Sequence, residues 1–181
     1  MRSTENVLSI RDSEIVDPVE AAEVIKFIRS KLHITKKMTT RAVFTTIMET
    51  MNNVREHAYG SRKNQGWWLM ALPEKDTEII HFSLADNGKG IPETIRKKFM
   101  EQIISKDADL IRAAVLENRS ETKLYYRGNG LPKLKTLIDK KMIKNLYIIS
   151  KKGYYYIDED EVFQLPFEYH GTIIFWDFIK G

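Results

Sequence analysis

Apolar residues recur along this chain at two periods, one helical and one alternating, and the change between them marks out the elements. A short alternating stretch at 7–10 predicts a strand. Asp17-Pro18-Val19-Glu20 then predicts a helix start, with Asp17 as the N-cap, Pro18 where a missing N–H costs nothing, and Glu20 at capping-box spacing. Ala21, Ile25, Ile28 and Leu32 follow at helical spacing as its apolar stripe. Residues 36–40 read as a polar connector. A second helix is predicted from about residue 40 to 58, with Phe44, Ile47, Met51, Val54 and Ala58 on one side. Residues 60–66 form a loop by composition. Strands are predicted at 67–72 and 79–85, joined by the polar turn at 73–76. From 92 to 123 the pattern is helical but broken. Leu131, Leu134, Leu137 and Ile138 mark a helix that opens directly after glycines. Strands at 146–149, 154–157 and 172–178 close the series. Such an order predicts an α+β fold: a two-layer sandwich with a mixed, mostly antiparallel sheet and helices on one face.

Composition narrows the function. With 181 residues the chain suits one domain; the reading divides it into an N-terminal strand and helix extension at 1–39, packed on a domain at 40–181. There is no cysteine, so disulfides, thiolate zinc sites and cysteine nucleophiles are excluded together. Lys plus Arg number 29 against 25 Asp plus Glu, a net charge of +4. This balance, with the basic residues dispersed among acids, argues against a nucleic-acid partner despite a pI near 9.1. No apolar run is long enough to span a membrane, and the N-terminus has no secretory pattern. The expectation is a soluble, cytoplasmic protein.

Three segments carry chemistry. Glu49, Asn53 and His57 are spaced i, i+4, i+8, along a ridge largely opposite the apolar stripe of the second helix. A carboxylate there can orient a water, an amide oxygen can bind a hard cation and an imidazole can meet a phosphate; the plainer alternative is an ordinary solvent face. Asp86-Asn87-Gly88-Lys89-Gly90-Ile91-Pro92 follows a strand. Its glycines would let the backbone approach a flat ligand, and its aspartate could accept a hydrogen bond from an exocyclic amine; an Asn-Gly turn is the alternative. In Arg127-Gly128-Asn129-Gly130-Leu131-Pro132-Lys133, glycines lead straight into a helix whose N-terminus gathers unpaired N–H groups toward an anion. It is not a Walker-type loop, and a tight turn would explain it equally.

Their order resembles the GHKL ATP-binding superfamily, also called the Bergerat fold or histidine kinase-like ATPases. Glu49 to His57 looks like its N box, Asp86 to Ile91 like the first glycine box and Arg127 to Leu131 like the second. His170-Gly171-Thr172-Ile173 looks like its final strand. The resemblance runs from about residue 40 to the C-terminus. It implies ATP and Mg²⁺ as ligands. Asp86 would bind the adenine amino group, Thr172 would assist through a shared water, and Gly90 would pack on the base beside Gly88 and Ile91. Asn53 would be the Mg²⁺ ligand and His57 would approach the phosphates or ribose. Gly128, Gly130 and the Leu131 backbone would donate N–H groups to phosphate. Residues 91–127 would form a lid, with Thr122 or Lys123 reaching the terminal phosphate. Glu49 would activate an attacking water.

No histidine sits in a phosphoacceptor setting, and there is no room after Thr172 for the second domain of gyrase-like relatives. The expectation is therefore a regulatory nucleotide-binding module like the stand-alone anti-sigma-factor kinases. It would be a slow ATPase or a protein kinase acting on a partner protein, such as a regulatory target or a toxin- or sigma-like factor. The alternative is a nucleotide-gated protein-binding switch with little or no catalysis. A homodimer through residues 1–39 is also considered. Trp67-Trp68 and Tyr154-Tyr155-Tyr156 are read as strand residues with alternate members in the core, and 158–161 as an acidic turn.

Overall fold

A computed structural model describes residues 2–3, 8–12, 18–32, 37–59, 66–96, 106–116 and 130–179. The described elements run β1 (Arg2–Ser3), β2 (Leu8–Asp12), α1 (Pro18–Leu32), α2 (Lys37–Asn53), a π-helical turn (Val54–Ala58), β3 (Trp67–Pro73), β4 (Ile79–Asp86), α3 (Ile91–Ile95), α4 (Asp107–Leu116), α5 (Gly130–Asp139), β5 (Ile143–Tyr156) and β6 (Glu161–Ile179). The strands form one six-stranded sheet in the order β1-β2-β3-β4-β6-β5. Every described pairing is antiparallel, so the expected mixed character gives way to a purely antiparallel sheet. The α+β class stands.

Period-two alternation puts one face of β3, β4, β5 and β6 in the core, and the register sorts that face into rows. Leu69, Leu84, Ile174 and Ile148 form one; Ala71, Phe82 and Trp176 another; Ile80, Phe178 and Ile143 a third, all buried. Phe82 and Trp176 stack with centroids 5.1 Å apart. The helices cover this face. Val43, Ile47, Met51 and Val54 of α2 and its π turn join Ala21, Val24, Phe27 and Ile28 of α1 in the same core, so α1 is an integral part of it. Its buried set is displaced from the expected stripe: Val24 and Phe27 are buried while Ile25 is half-buried. Pro18 opens α1 as expected, and Asp17 lies outside the described residues.

Two other boundaries differ from expectation. Helix α2 begins at Lys37 rather than near Thr40, so most of the expected connector is helical. Strand β5 is longer than its two expected pieces because they are one element that doubles back. Lys151 has φ 55°, Ile157 N–H bonds the Leu146 carbonyl at 3.0 Å, and Tyr147 stacks on Tyr156 at 4.5 Å. Tyr155 is buried while Tyr154 and Tyr156 are half-buried, as strand alternation requires. The acidic turn is structural: Asp158 accepts the N–H groups of Asn145 and Leu146. Helix α4 lies within the stretch expected to be a lid, yet Ile111 and Val115 belong to the main core, and Gly153 passes against its first turn. Residues 97–105 and 117–127, the rest of that stretch, lie outside the described residues.

Candidate functional site

Helix α2 carries the first group of residues. Its apolar side faces the sheet, and the opposite ridge of Glu49 and Asn53 faces α5. Glu49 is ion-paired with Lys133 of α5. At the next turn Gly130, the first residue of α5, presses on the Asn53 carboxamide: a Cβ at position 130 would lie 2.9 Å from both Oδ1 and Nδ2. The sequence therefore supplies glycine where the helix start meets an amide. Past Asn53 the helix widens into the π turn, which carries His57. His57 is half-buried, with Nε2 3.9 Å from a Glu56 carboxylate oxygen, and its carbonyl lies 3.5 Å from the Thr94 hydroxyl.

The widened turn meets the segment after β4. Lys89 N–H bonds the Ala58 carbonyl at 2.7 Å, and a Cβ at Gly88 would lie 2.5 Å from both the Ala58 Cβ and that carbonyl oxygen. The first glycine segment thus docks on the helix end. Gly90, with φ 85°, precedes α3, and Ile91 opens it with its N–H on the Ser150 hydroxyl at 2.9 Å. Leu131, next to Gly130, has its side chain in the core. Lys123 and Gly128 lie outside the described residues.

Asp86 ends β4 as a buried carboxylate. Its Oδ1 accepts Gly88 N–H at 2.7 Å, and no basic side chain pairs with it among the described residues. Burial pushes its pKa up to about 6; the amides of Gly88 and Thr172 oppose the shift without cancelling it. Thr172 is its cross-strand neighbour on β6. That approach requires Gly171, with φ 109°, because a Cβ there would lie 1.9 Å from the Asp86 carbonyl oxygen.

Two residues absent from the expected set belong to this end of the molecule. Tyr59 is buried, donates its hydroxyl to the Gly66 carbonyl at 2.6 Å and accepts Asn87 N–H at 3.2 Å, which fixes the chain just after Asp86. Only its place at the helix end hinted at this. Ser150 is fully buried and touches both Gly171 and Thr172. Its signal was present, since it falls in step with Leu146 and Ile148 on the buried side of a strand.

As a cation ligand, Asn53 passes a chemical test. Its Nδ2 is buried and has no hydrogen-bond partner among the described residues. A half-turn of the carboxamide would bring its oxygen, a hard-cation ligand, to the same place. Among the described residues no three His, Asp or Glu side chains gather as a metal-binding group. A Mg²⁺ held here would take one protein oxygen and draw its other ligands from phosphate and water. No helix among the described residues is long and apolar enough to cross a membrane. Comparison with known proteins finds no family model that matches the chain and no curated protein with significant sequence similarity to it.

Proposed function

We propose that the chain is a cytoplasmic ATP- and Mg²⁺-binding module of the GHKL type, acting with a partner protein as a slow ATPase or protein kinase. One observation carries this reading. The two glycine segments, far apart in sequence, press on a single helix end, Gly130 on Asn53 and Gly88 on Ala58, and the Gly88 segment continues from the buried carboxylate of Asp86, which has no cation beside it among the described residues. A purine amine at Asp86 and phosphates at the start of α5 would then be served by one helix. In this reading Asn53 offers an oxygen to Mg²⁺, which when bound neutralises phosphate charge. The α5 N-terminus offers N–H groups at Gly130 and Leu131. Glu49 accepts the proton of an attacking water.

Titration calorimetry with a non-hydrolysable ATP analogue, with and without Mg²⁺, tests the proposal. Wild type is expected to bind more tightly with Mg²⁺, and Asn53→Ala to lose most of that gain, about tenfold or more in Kd. Absence of binding under both conditions would discard the proposal.

A second reading is favoured by the Glu49–Lys133 pair, which engages the proposed base with a cation. The module would then be a nucleotide-gated protein-binding switch with little or no turnover. Wild-type protein that binds ATP and changes its affinity for a partner, without releasing or transferring phosphate, would select it.

A further inference from the structure

One row of the inner sheet face turns polar after buried Trp67 on β3, where the three rows described above are apolar. Asp86, Thr172 and Ser150 stand side by side on β4, β6 and β5, at 3%, 6% and 0% exposure. Buried hydroxyls are costly unless their hydrogen bonds are made, so the partners fix where the protons point. Ser150 Oγ has three: Ile91 N–H at 2.9 Å, the Gly171 carbonyl at 2.8 Å and Thr172 Oγ1 at 3.1 Å.

A serine hydroxyl carries one proton and two lone pairs. The Ile91 amide can only donate, which fills one lone pair. The Gly171 carbonyl can only accept, which uses the proton. One lone pair remains, and Thr172 can satisfy it only by donating its own proton. The Thr172 hydroxyl is thereby left with lone pairs alone for any other partner. Ionised Asp86 is likewise an acceptor only, and it is the Thr172 amide, not the hydroxyl, that favours the Asp86 charge.

We infer that Ser150 is a specificity-determining positioning residue: by taking the Thr172 proton it leaves a floor made only of acceptors, which suits a purine with a 6-amino group and opposes one with a 6-oxo group. This inference rests on the nucleotide reading. Ser150 acts through Thr172 and need not touch the ligand.

The test is calorimetry at pH 8 on the full chain, comparing non-hydrolysable analogues of ATP and ITP. Wild type is expected to prefer the adenine analogue by about 30-fold or more, the discrimination of a site built around donor–acceptor pairing. In Ser150→Ala the Thr172 proton is free to turn to a 6-oxo group, and the preference should fall about tenfold, one hydrogen bond's worth. Thr172→Ser should keep it within about twofold, while Thr172→Val should lower it as Ser150→Ala does, so the answer does not depend on Ser150→Ala folding. Equal affinity for both analogues in wild type, a parallel loss of both in Ser150→Ala with the ratio unmoved, or an unmoved ratio in Thr172→Val would each overturn the inference. Wild type that binds neither analogue is a separate result, and it overturns the nucleotide reading beneath.

Discussion

Two carboxylates at opposite extremes of burial show how differently one chain treats a negative charge. Asp160, in the turn between β5 and β6, receives a bidentate contact from Arg112 of α4, Nε at 2.7 Å and Nη2 at 2.5 Å, and the Tyr155 hydroxyl at 2.9 Å. The guanidinium holds its pKa down to about 2. Asp86 is buried, has no cation beside it among the described residues and is pushed up to about 6. The first charge ties α4 to the sheet. The second opposes folding at neutral pH and is retained. A carboxylate kept at a cost to the fold is what the proposed nucleotide site would require.

The largest effect should come from Asp86→Asn. The unfolded chain titrates this aspartate near its ordinary value of 3.8, and the folded one near 6. Its contribution favours the fold most below the lower value and is lost as pH rises through the higher. The asparagine keeps an oxygen for the Gly88 amide without the charge. Ligand-free Asp86→Asn should therefore exceed wild type in stability at pH 8 by on the order of 2 kcal/mol, with the difference gone by about pH 4. Its affinity for ATP should fall about 100-fold or more. Thermal melts across that pH range and calorimetry measure the two arms. A variant less stable than wild type at pH 8 would break the contrast with Asp160.

How much of this was legible beforehand follows from the range of the forces involved. The strands announced themselves through alternation, and Asn53, Asp86, Gly88 and Gly130 through residue type and spacing. The burial of Ser150 is legible from its step with Leu146 and Ile148, but its role is not, because that depends on cross-strand register: only the β5–β6 pairing sets it beside Thr172. The doubling back of β5 at Lys151 hid that register further. Nor was the π turn legible, since it coincides with the Lys89 N–H on the Ala58 carbonyl, a tertiary contact with no local signature. Tyr59 required knowing that residues 66 and 87 converge on one hydroxyl.

Glu49 sharpens the comparison because it is paired with a cation, as Asp160 is, yet lies on the ridge beside Asn53. If it is the base of a hydrolytic site, Glu49→Gln should keep ATP affinity within about threefold while phosphate release falls about tenfold or more. Its stability should change by less than about 1 kcal/mol, since the Lys133 partner is half exposed. Single-turnover phosphate release together with calorimetry separates these. Turnover that survives the substitution would remove Glu49 from the chemistry and leave its ion pair with α5 as its role.

The smallest effect belongs to the Arg112–Asp160 pair. Its side chains are 44% and 49% exposed, so water and salt screen most of the attraction and the depressed pKa overstates its worth. Asp160→Asn should cost only about 0.5–1 kcal/mol at pH 7. The sign is opposite to that of Asp86: a lowered pKa contributes stability above the unfolded value of 3.8 and loses it as pH falls through about 2. Between pH 5 and 8 the cost of Asp160→Asn should stay flat while the gain from Asp86→Asn grows. Raising salt to about 1 M, where the screening length is about 3 Å, should shrink the Asp160 effect and leave that of buried Asp86 nearly intact. Denaturant melts of both variants at two pH values and two salt concentrations measure this. Equal salt sensitivity in the two would mean that Asp86 is solvated in solution, and the argument that its charge is held in the fold against stability would fail with it.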